Sequence, residues 1–274
     1  MHRDTLRVPF VAESLRHGLV PPWRHLEVVD ETGSTNADLI ARAAAGGNIG
    51  GVVLIAEHQT AGRGRSGRSW SGVPRAQVTM SVGIDVNDVP SETWGWLPLA
   101  AGVAVVDAVA DVTGVRAGLK WPNDVLAGGN GKLAGILAEV AAPAPVIVIG
   151  IGLNVSLLAD ERPDPVATSL VLLGVQDPDR NELVGALLQE LDRRIGSWRA
   201  AVGSDAALSA DYAARSLTIG SRVRALLPGG NEIVGDARSV DDQGRLCIAT
   251  GDGTVAVSAG DIVHLRPIDD GGCG

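Results

Sequence analysis

The sequence predicts an α+β protein: a mixed or antiparallel β-sheet with helices packed on one side, then a small β-barrel at the C-terminal end. Three observations carry this. Apolar or alternating stretches of strand length recur at residues 51–57, 77–86, 132–140 and 146–155, and the turn Gly128-Gly129-Asn130-Gly131 is a strong hairpin signal. Segments with helical spacing lie between and after them, at 94–112 and 183–195. Beyond Leu217 the composition changes to short strands at 222–227, 232–240, 245–250 and 254–257, separated by Gly- and Asp-rich turns. Strands at that spacing indicate a small barrel.

Taken in order, residues 1–25 hold one short helix near 10–17 and end in Pro21-Pro22, too short for a winged-helix DNA-binding domain. A strand at 26–29 leads into the polar turn Glu31-Thr32-Gly33-Ser34-Thr35-Asn36. Thr35 with Asp38 resembles a capping box, with Asp for the usual Glu, and opens a helix stopped by Gly46-Gly47. The run 51–57 is apolar almost throughout, as in a buried strand. Residues 77–86 alternate, and 94–112 form an Ala- and Val-rich helix against the sheet, with Trp94 and Trp96 in the core. Pro122 lacks a backbone donor, so 119–125 is an edge strand. The uncharged run 140–159 is long enough to raise a membrane question. Pro143, Pro145, Gly150, Gly152 and Asn154 interrupt it, leaving a buried strand between loops. Asp177-Pro178 opens a helix carrying Leu183, Val184, Leu187, Leu188, Leu191 and Ile195 on one stripe, and a second helix covers 205–215. The divisions are a leader at 1–25, a main domain at 26–216, a C-terminal domain at 217–268 and a flexible tail at 269–274.

The chain has 274 residues, 45% of them hydrophobic, and a net charge of -9. That acidity argues against bulk attraction to nucleic acid. The two cysteines, Cys247 and Cys273, form no metal spacing or disulfide framework, and charges at Arg3, Asp4, Arg7, Glu13 and Arg16 break any signal peptide. The expectation is a cytoplasmic protein with no membrane and no nucleic-acid partner, a monomer or a weak homodimer.

Against this background one stretch stands out. Gly62-Arg63-Gly64-Arg65-Ser66-Gly67-Arg68-Ser69-Trp70 packs three glycines and three arginines into nine residues. Arginine forks suit carboxylate and phosphate, and glycines let the backbone approach an anion. The alternative is a solvated basic turn, but such a turn needs no glycine pattern. Gly62, Gly64 and Gly67 match a dinucleotide fingerprint by spacing, with Asp85 about twenty residues on. The match fails because Arg68 to Pro74 cannot open the helix whose N-terminus holds the pyrophosphate. A P-loop is excluded by Leu126 and Leu133 around Gly131-Lys132. Lys120 and Lys132 flank one hairpin and can reach one anion; alternatively Lys120 and Asp124 form a surface ion pair of little worth. Asn154 ends an apolar strand, either as a ligand contact or as a turn residue.

Set in order, these segments resemble the biotin–protein ligases of the holocarboxylase synthetase type. The resemblance rests on Ser34-Thr35-Asn36, on Glu57-His58-Gln59 leading into the Gly-Arg stretch, on KWPND at 120–124, GKLAGIL at 131–137 and GIGLNV at 150–155, and spans roughly 26–266. It implies a class II synthetase-like catalytic domain, a mixed sheet with packed helices, followed by an SH3-like domain. It implies formation of biotinyl-5′-AMP from biotin and ATP with Mg²⁺, then transfer to a lysine of the biotin carboxyl carrier protein of acyl-CoA carboxylases. Matched by motif, Ser34, Thr35, Asn36, Gln59, Arg63, Gly64, Arg65 and Lys132 would hold biotin and its activated carboxylate. Arg68, Trp70, Asn123 and Asn154 would face the nucleotide, and Lys132, Arg65, Lys120 and Asp124 would serve catalysis, Asp124 toward the incoming lysine. Phosphates and water would hold most of the Mg²⁺, so no metal cage is expected. The short leader departs from the repressor members of the family, implying a ligase that does not bind DNA. The Gly-Arg stretch is expected to be mobile alone and ordered by biotinyl-AMP.

Overall fold

The apolar runs build one seven-stranded sheet from β1 (His25–Thr32), β2 (Val52–Gln59), β3 (Gln77–Asp85), β4 (Ala117–Lys120), β5 (Asp124–Ala127), β6 (Gly131–Ala141) and β7 (Val146–Asn154). This computed structural model describes residues 6–264 except 144, 228 and 259, so the tail 269–274 lies outside the described residues. Across the sheet the order is β1-β2-β3-β7-β6-β5-β4. β1 and β2 are parallel and every other adjacent pair is antiparallel, so the sheet is mixed.

Helices cover both faces of this sheet, which corrects the expectation of one. Val53, Ile55, Ile147, Ile149 and Ile151 point into the larger core, with α3 (Leu97–Thr113) and α4 (Arg180–Ala200). Their strand neighbours Val52, Leu54, Val146 and Val148 meet Leu39 and Ala43 of α2 (Thr35–Ala44) on the other side. A central strand buried on both faces has no polar alternation, which is why 51–56 is apolar throughout. The stretch Ser91–Thr113 is apolar and long enough to cross a membrane, but it is largely buried here as a core element. Its first six residues form a 3-10 turn, so the α-helix begins at Leu97 rather than near Trp94.

Three caps and turns also differ from expectation. Ser34, not Thr35, caps α2, accepting from the Ala37 N–H, while Asp38 accepts the Thr32 hydroxyl instead of closing a box. This leaves Thr35 inside the helix, where its side chain faces the sheet. α4 is capped by Asp179, which accepts from the N–H groups of Asn181 and Glu182. Asp177 sits at φ 45°, outside the helix. Residues 119–125 are not one strand: Trp121-Pro122-Asn123 turn the chain between β4 and β5, and β4 is the sheet edge.

The leader contributes α1 (Ala12–His17), and α5 (Ala206–Arg215), capped by Asp205, leads into a second sheet. That sheet comprises β8 (Arg222–Leu226), β9 (Glu232–Val240), β10 (Leu246–Thr250), β11 (Gly253–Val257) and β12 (Asp261–His264). Its order is β11-β10-β9-β8-β12, antiparallel throughout, with β11 and β12 unpaired to each other among the described residues. The strand β12 adds to the four expected. Tryptophans fasten the two sheets together. Trp121, 2% exposed, donates its indole N–H to the Gly244 carbonyl at 3.2 Å and its backbone N–H to Thr218 Oγ1 at 3.1 Å. Trp96 donates to the Asp241 carbonyl at 2.9 Å.

Candidate active site

Strand ends on one side of the large sheet, the N-terminus of α2 and the Gly-Arg loop surround a cleft of about 620 Å³. Every residue picked from the sequence lines it. Ser34, Thr35 and Asn36 come from the start of α2, Gln59 from the end of β2, and Arg63, Gly64, Arg65, Arg68 and Trp70 from the loop. Lys120 ends β4, Asn123 and Asp124 begin the return, Lys132 opens β6 and Asn154 closes β7.

The loop is a small hairpin. Gly64 N–H donates to the Arg68 carbonyl at 2.7 Å, and Trp70 N–H to the Gly62 carbonyl at 2.8 Å. Two of its glycines have a geometric reason. Gly67 has φ 74°, at the left-handed tip beside Ser66, and a β-carbon on Gly62 would run into the Trp70 carbonyl.

The loop folds Trp70 onto a floor of glycines. A β-carbon on Gly152 would collide with the indole, and one on Gly135 would stand 3.1 Å from it. The indole N–H is buried there without an acceptor. A donor left unmet in this way costs about 1–3 kcal/mol, which lowers the cost of lifting the indole from this floor. Lys132 Nζ lies 5.7 Å from the ring centroid.

The cations divide into two kinds. Arg63 pairs with Glu139 of β6, Arg68 with Asp261 of β12, and Lys132 Nζ with Asp124 Oδ1 at 2.7 Å. The surface pairing considered for Asp124, with Lys120, is therefore replaced by Lys132. Among the described residues neither Arg65 nor Lys120 has an ion-pair partner. Burial lowers the pKa of the Arg65 guanidinium, with the Asp261 carboxylate opposing. It stays charged, because arginine starts from far above neutrality.

The polar end is a closed network. Gln59 Oε1 accepts from Thr35 N–H at 2.8 Å and lies 3.0 Å from its hydroxyl. That hydroxyl also meets Ser81 Oγ at 2.6 Å, and Ser81 donates to Asn36 Oδ1 at 2.6 Å. Asn36 Nδ2 donates to the Leu137 carbonyl at 3.1 Å and to Glu139 Oε2 at 2.9 Å, which commits its whole amide to the frame. Asn123 donates to the Ile136 carbonyl at 2.9 Å, and Asn154 accepts from Gln77 Nε2 at 2.7 Å. These three asparagines shape the wall in this state.

Sequence reasoning missed Ser81, Glu139 and Asp261 as partners of the site residues, and Gln77 behind the wall. Ser81 is one of several polar positions in the alternation of β3 and had no distinct signal, whereas Gly150-Ile151-Gly152 inside a strand was one for the floor. Glu139 and Asp261 had none, since each reaches its arginine across a long stretch of chain.

Two family models match the sequence: the Biotin/lipoate A/B protein ligase family at residues 45–156 and the Biotin protein ligase C terminal domain at 218–265. A biotin–[acetyl-CoA-carboxylase] ligase of Mycobacterium tuberculosis is 61% identical over 270 residues, covering 96% of this chain and 99% of that protein. The chain belongs to the biotin protein ligase family. Solved members share the architecture. The biotin protein ligase from Aquifex aeolicus in complex with biotin and ATP superposes with a TM-score of 0.75 at 26% identity, over 89% of this chain and all of that one. The enzyme from Leishmania major in complex with biotinyl-5-AMP gives 0.58 at 27% identity, over 88% of this chain and all of that one.

Proposed function

We propose that this chain is an ATP-dependent, cytoplasmic ligase that makes biotinyl-5′-AMP and then biotinylates a lysine of the biotin carboxyl carrier protein of acyl-CoA carboxylases. One observation supports this most: five cations from three separate segments converge on a glycine-floored cleft in an acidic protein. Joining a carboxylate to a triphosphate means bringing two anions together, and fixed positive charge is what lowers that barrier.

In the first step a biotin carboxylate oxygen attacks the α-phosphorus of ATP. The bond from that phosphorus to the bridging oxygen breaks and pyrophosphate leaves with the electron pair. Arg63, Arg65 and Lys132 hold the carboxylate, while Arg68 and Lys120 face the phosphates. The internal carboxylates give up Arg63, Arg68 and Lys132 as the ligands arrive. In the second step the carrier lysine attacks the acyl carbon and AMP departs. Asp124, freed from Lys132, orients that amine or takes its proton. Among the described residues no group of three or more His, Cys, Asp or Glu is placed to hold a metal, and Glu139, Asp261 and Asp124 each hold a cation. The chain therefore does not fit a resident ion; Mg²⁺ would arrive with the triphosphate, and no step above runs through it.

Residues 6–24 contain one six-residue helix, α1, and we give them no operator-binding role. Incubation with biotin, ATP and Mg²⁺ followed by mass spectrometry should show biotinyl-AMP, and added carrier domain should gain one biotin. Pyrophosphate exchange supported by lipoate and not by biotin would overturn the substrate assignment.

A further inference from the structure

Behind the cleft wall, off its surface, stands a buried polar column. Gln77, the first residue of β3, is 6% exposed and does not line the cleft. Its Nε2 donates to Asn154 Oδ1 at 2.7 Å and reaches the Ser71 carbonyl at 3.4 Å. Gly72 lies so close that any β-carbon there would strike the Gln77 amide. One side chain thus touches both the cleft residue Asn154 and the stem on which the Gly-Arg loop returns to the sheet.

The backbone of Gln77 is itself gripped. Its carbonyl accepts from Arg180 Nη1 at 3.1 Å. Arg180 is 3% exposed, donates from Nη2 to the Val8 carbonyl at 2.6 Å, and pairs with Glu57 Oε2 at 2.8 Å. Glu57 Oε1 accepts the Phe10 N–H at 2.6 Å, and the Phe10 ring covers the guanidinium at 4.0 Å. Burying two charges gains little stability over an apolar pair of the same volume. What a guanidinium fork adds is direction: it sets two carbonyls and a carboxylate at fixed angles. Here those carbonyls belong to the leader and to the strand end that carries Gln77.

We infer that Gln77 is a positioning residue for the nucleotide side of the cleft, acting through Asn154 and the loop stem, and that the Arg180–Glu57 pair holds it in place. The inference rests on the reading that places Asn154 toward the nucleotide. Its chemistry is simple. Asn154 has one carbonyl and one amino group, and its Nδ2 already donates to the Lys132 carbonyl at 3.3 Å. Gln77 supplies the donor that fixes the remaining end. Without it only the 3.3 Å bond to the Lys132 carbonyl orients the amide, and that tie loosens.

The test is a double-mutant cycle read by calorimetry with an ATP analogue whose α,β-bridging oxygen is methylene, so that no turnover is needed. Gln77→Leu should weaken analogue binding about tenfold, the effect of one buried hydrogen bond, and leave biotin binding within about threefold. Asn154→Ala should do the same, and the double variant should be no worse than about threefold below the weaker single, because both remove one coupled unit. Arg180→Lys, which keeps the charge beside Glu57 but loses the fork, should reproduce the direction. Multiplying effects, an unchanged affinity in Gln77→Leu, or equal losses for biotin and analogue would overturn the inference. Should Gln77→Leu not fold, Gln77→Met keeps the length, removes the donor and is judged by the same criteria. Wild-type protein that binds the analogue but makes no biotinyl-AMP would overturn the proposed reaction and leave this cycle readable; wild-type protein that binds no analogue would overturn both.

Discussion

Lys132→Met should slow adenylate formation about 100-fold, and the structure says why the loss is neither total nor small. Lys132 Nζ lies in the cleft, about one-third exposed, 2.7 Å from Asp124. Two unit charges about 4 Å apart at an effective dielectric near 20 interact by about 4 kcal/mol. Asp124 competes for the ammonium and solvent screens part of its field, so about 2.7 kcal/mol of that remains useful, or about 100-fold in rate. The substitution also strands Asp124, an unpaired carboxylate where two anions must meet. Lys132→Met with Asp124→Asn should therefore recover about tenfold of the loss in this half-reaction. Pyrophosphate exchange measures adenylation alone and keeps the transfer role of Asp124 out of the result; far-ultraviolet circular dichroism shows that each variant folds. Exchange within about threefold of wild type in Lys132→Met would refute the electrostatic account. So would a double variant slower than the single.

Other outcomes follow from the same geometry. With biotin plus ATP, residues 62–72 should become resistant to protease, as Trp70 leaves the glycine floor and the loop closes over ligand; unchanged cleavage would count against closure. Trp121→Ala should cost about 3–5 kcal/mol and lower the melting temperature by about 10 °C, because the indole is buried between the sheets and bonded to Gly244. Asp205→Ala should cost about 1 kcal/mol at neutral pH through loss of the α5 cap. Burial pushes the Asp205 carboxyl up, but the Ser197 hydroxyl and the Leu208 and Ala207 N–H groups outweigh it and hold it below the usual range. The lowered folded value means that this contribution is full above the unfolded value of about 4 and is lost as pH falls through the folded one. Thermal melts of wild type and variant should therefore converge in acid.

Much of the fold was legible because its signals are local. The glycine turn before Lys132 set the β5–β6 hairpin, and the stripe from Leu183 to Ile195 set α4. The errors were at edges. Ser34 rather than Thr35 caps α2, and Asp179 rather than Asp177 caps α4, because several adjacent residues can cap and only the chain's entry angle selects one. The position of α2 on the opposite face from α3 was written in the near-continuous apolar run of β2, but nothing local says what covers the second face.

The sequence by itself determined which groups bring charge to the cleft, since the arginines, the two lysines and the glycines that let them approach lie in short contiguous motifs. Tertiary structure alone decided what those charges face. Glu139 reaches Arg63 across 76 positions and Asp261 reaches Arg68 across 193, the latter from a different sheet. Arg180 meets Gln77 across 103, behind the wall. A short motif records the chemistry a side chain can do, because that belongs to the residue. Its partner is chosen by the packing of distant elements, because an ion pair or a buried hydrogen bond depends on position in space and not on separation along the chain.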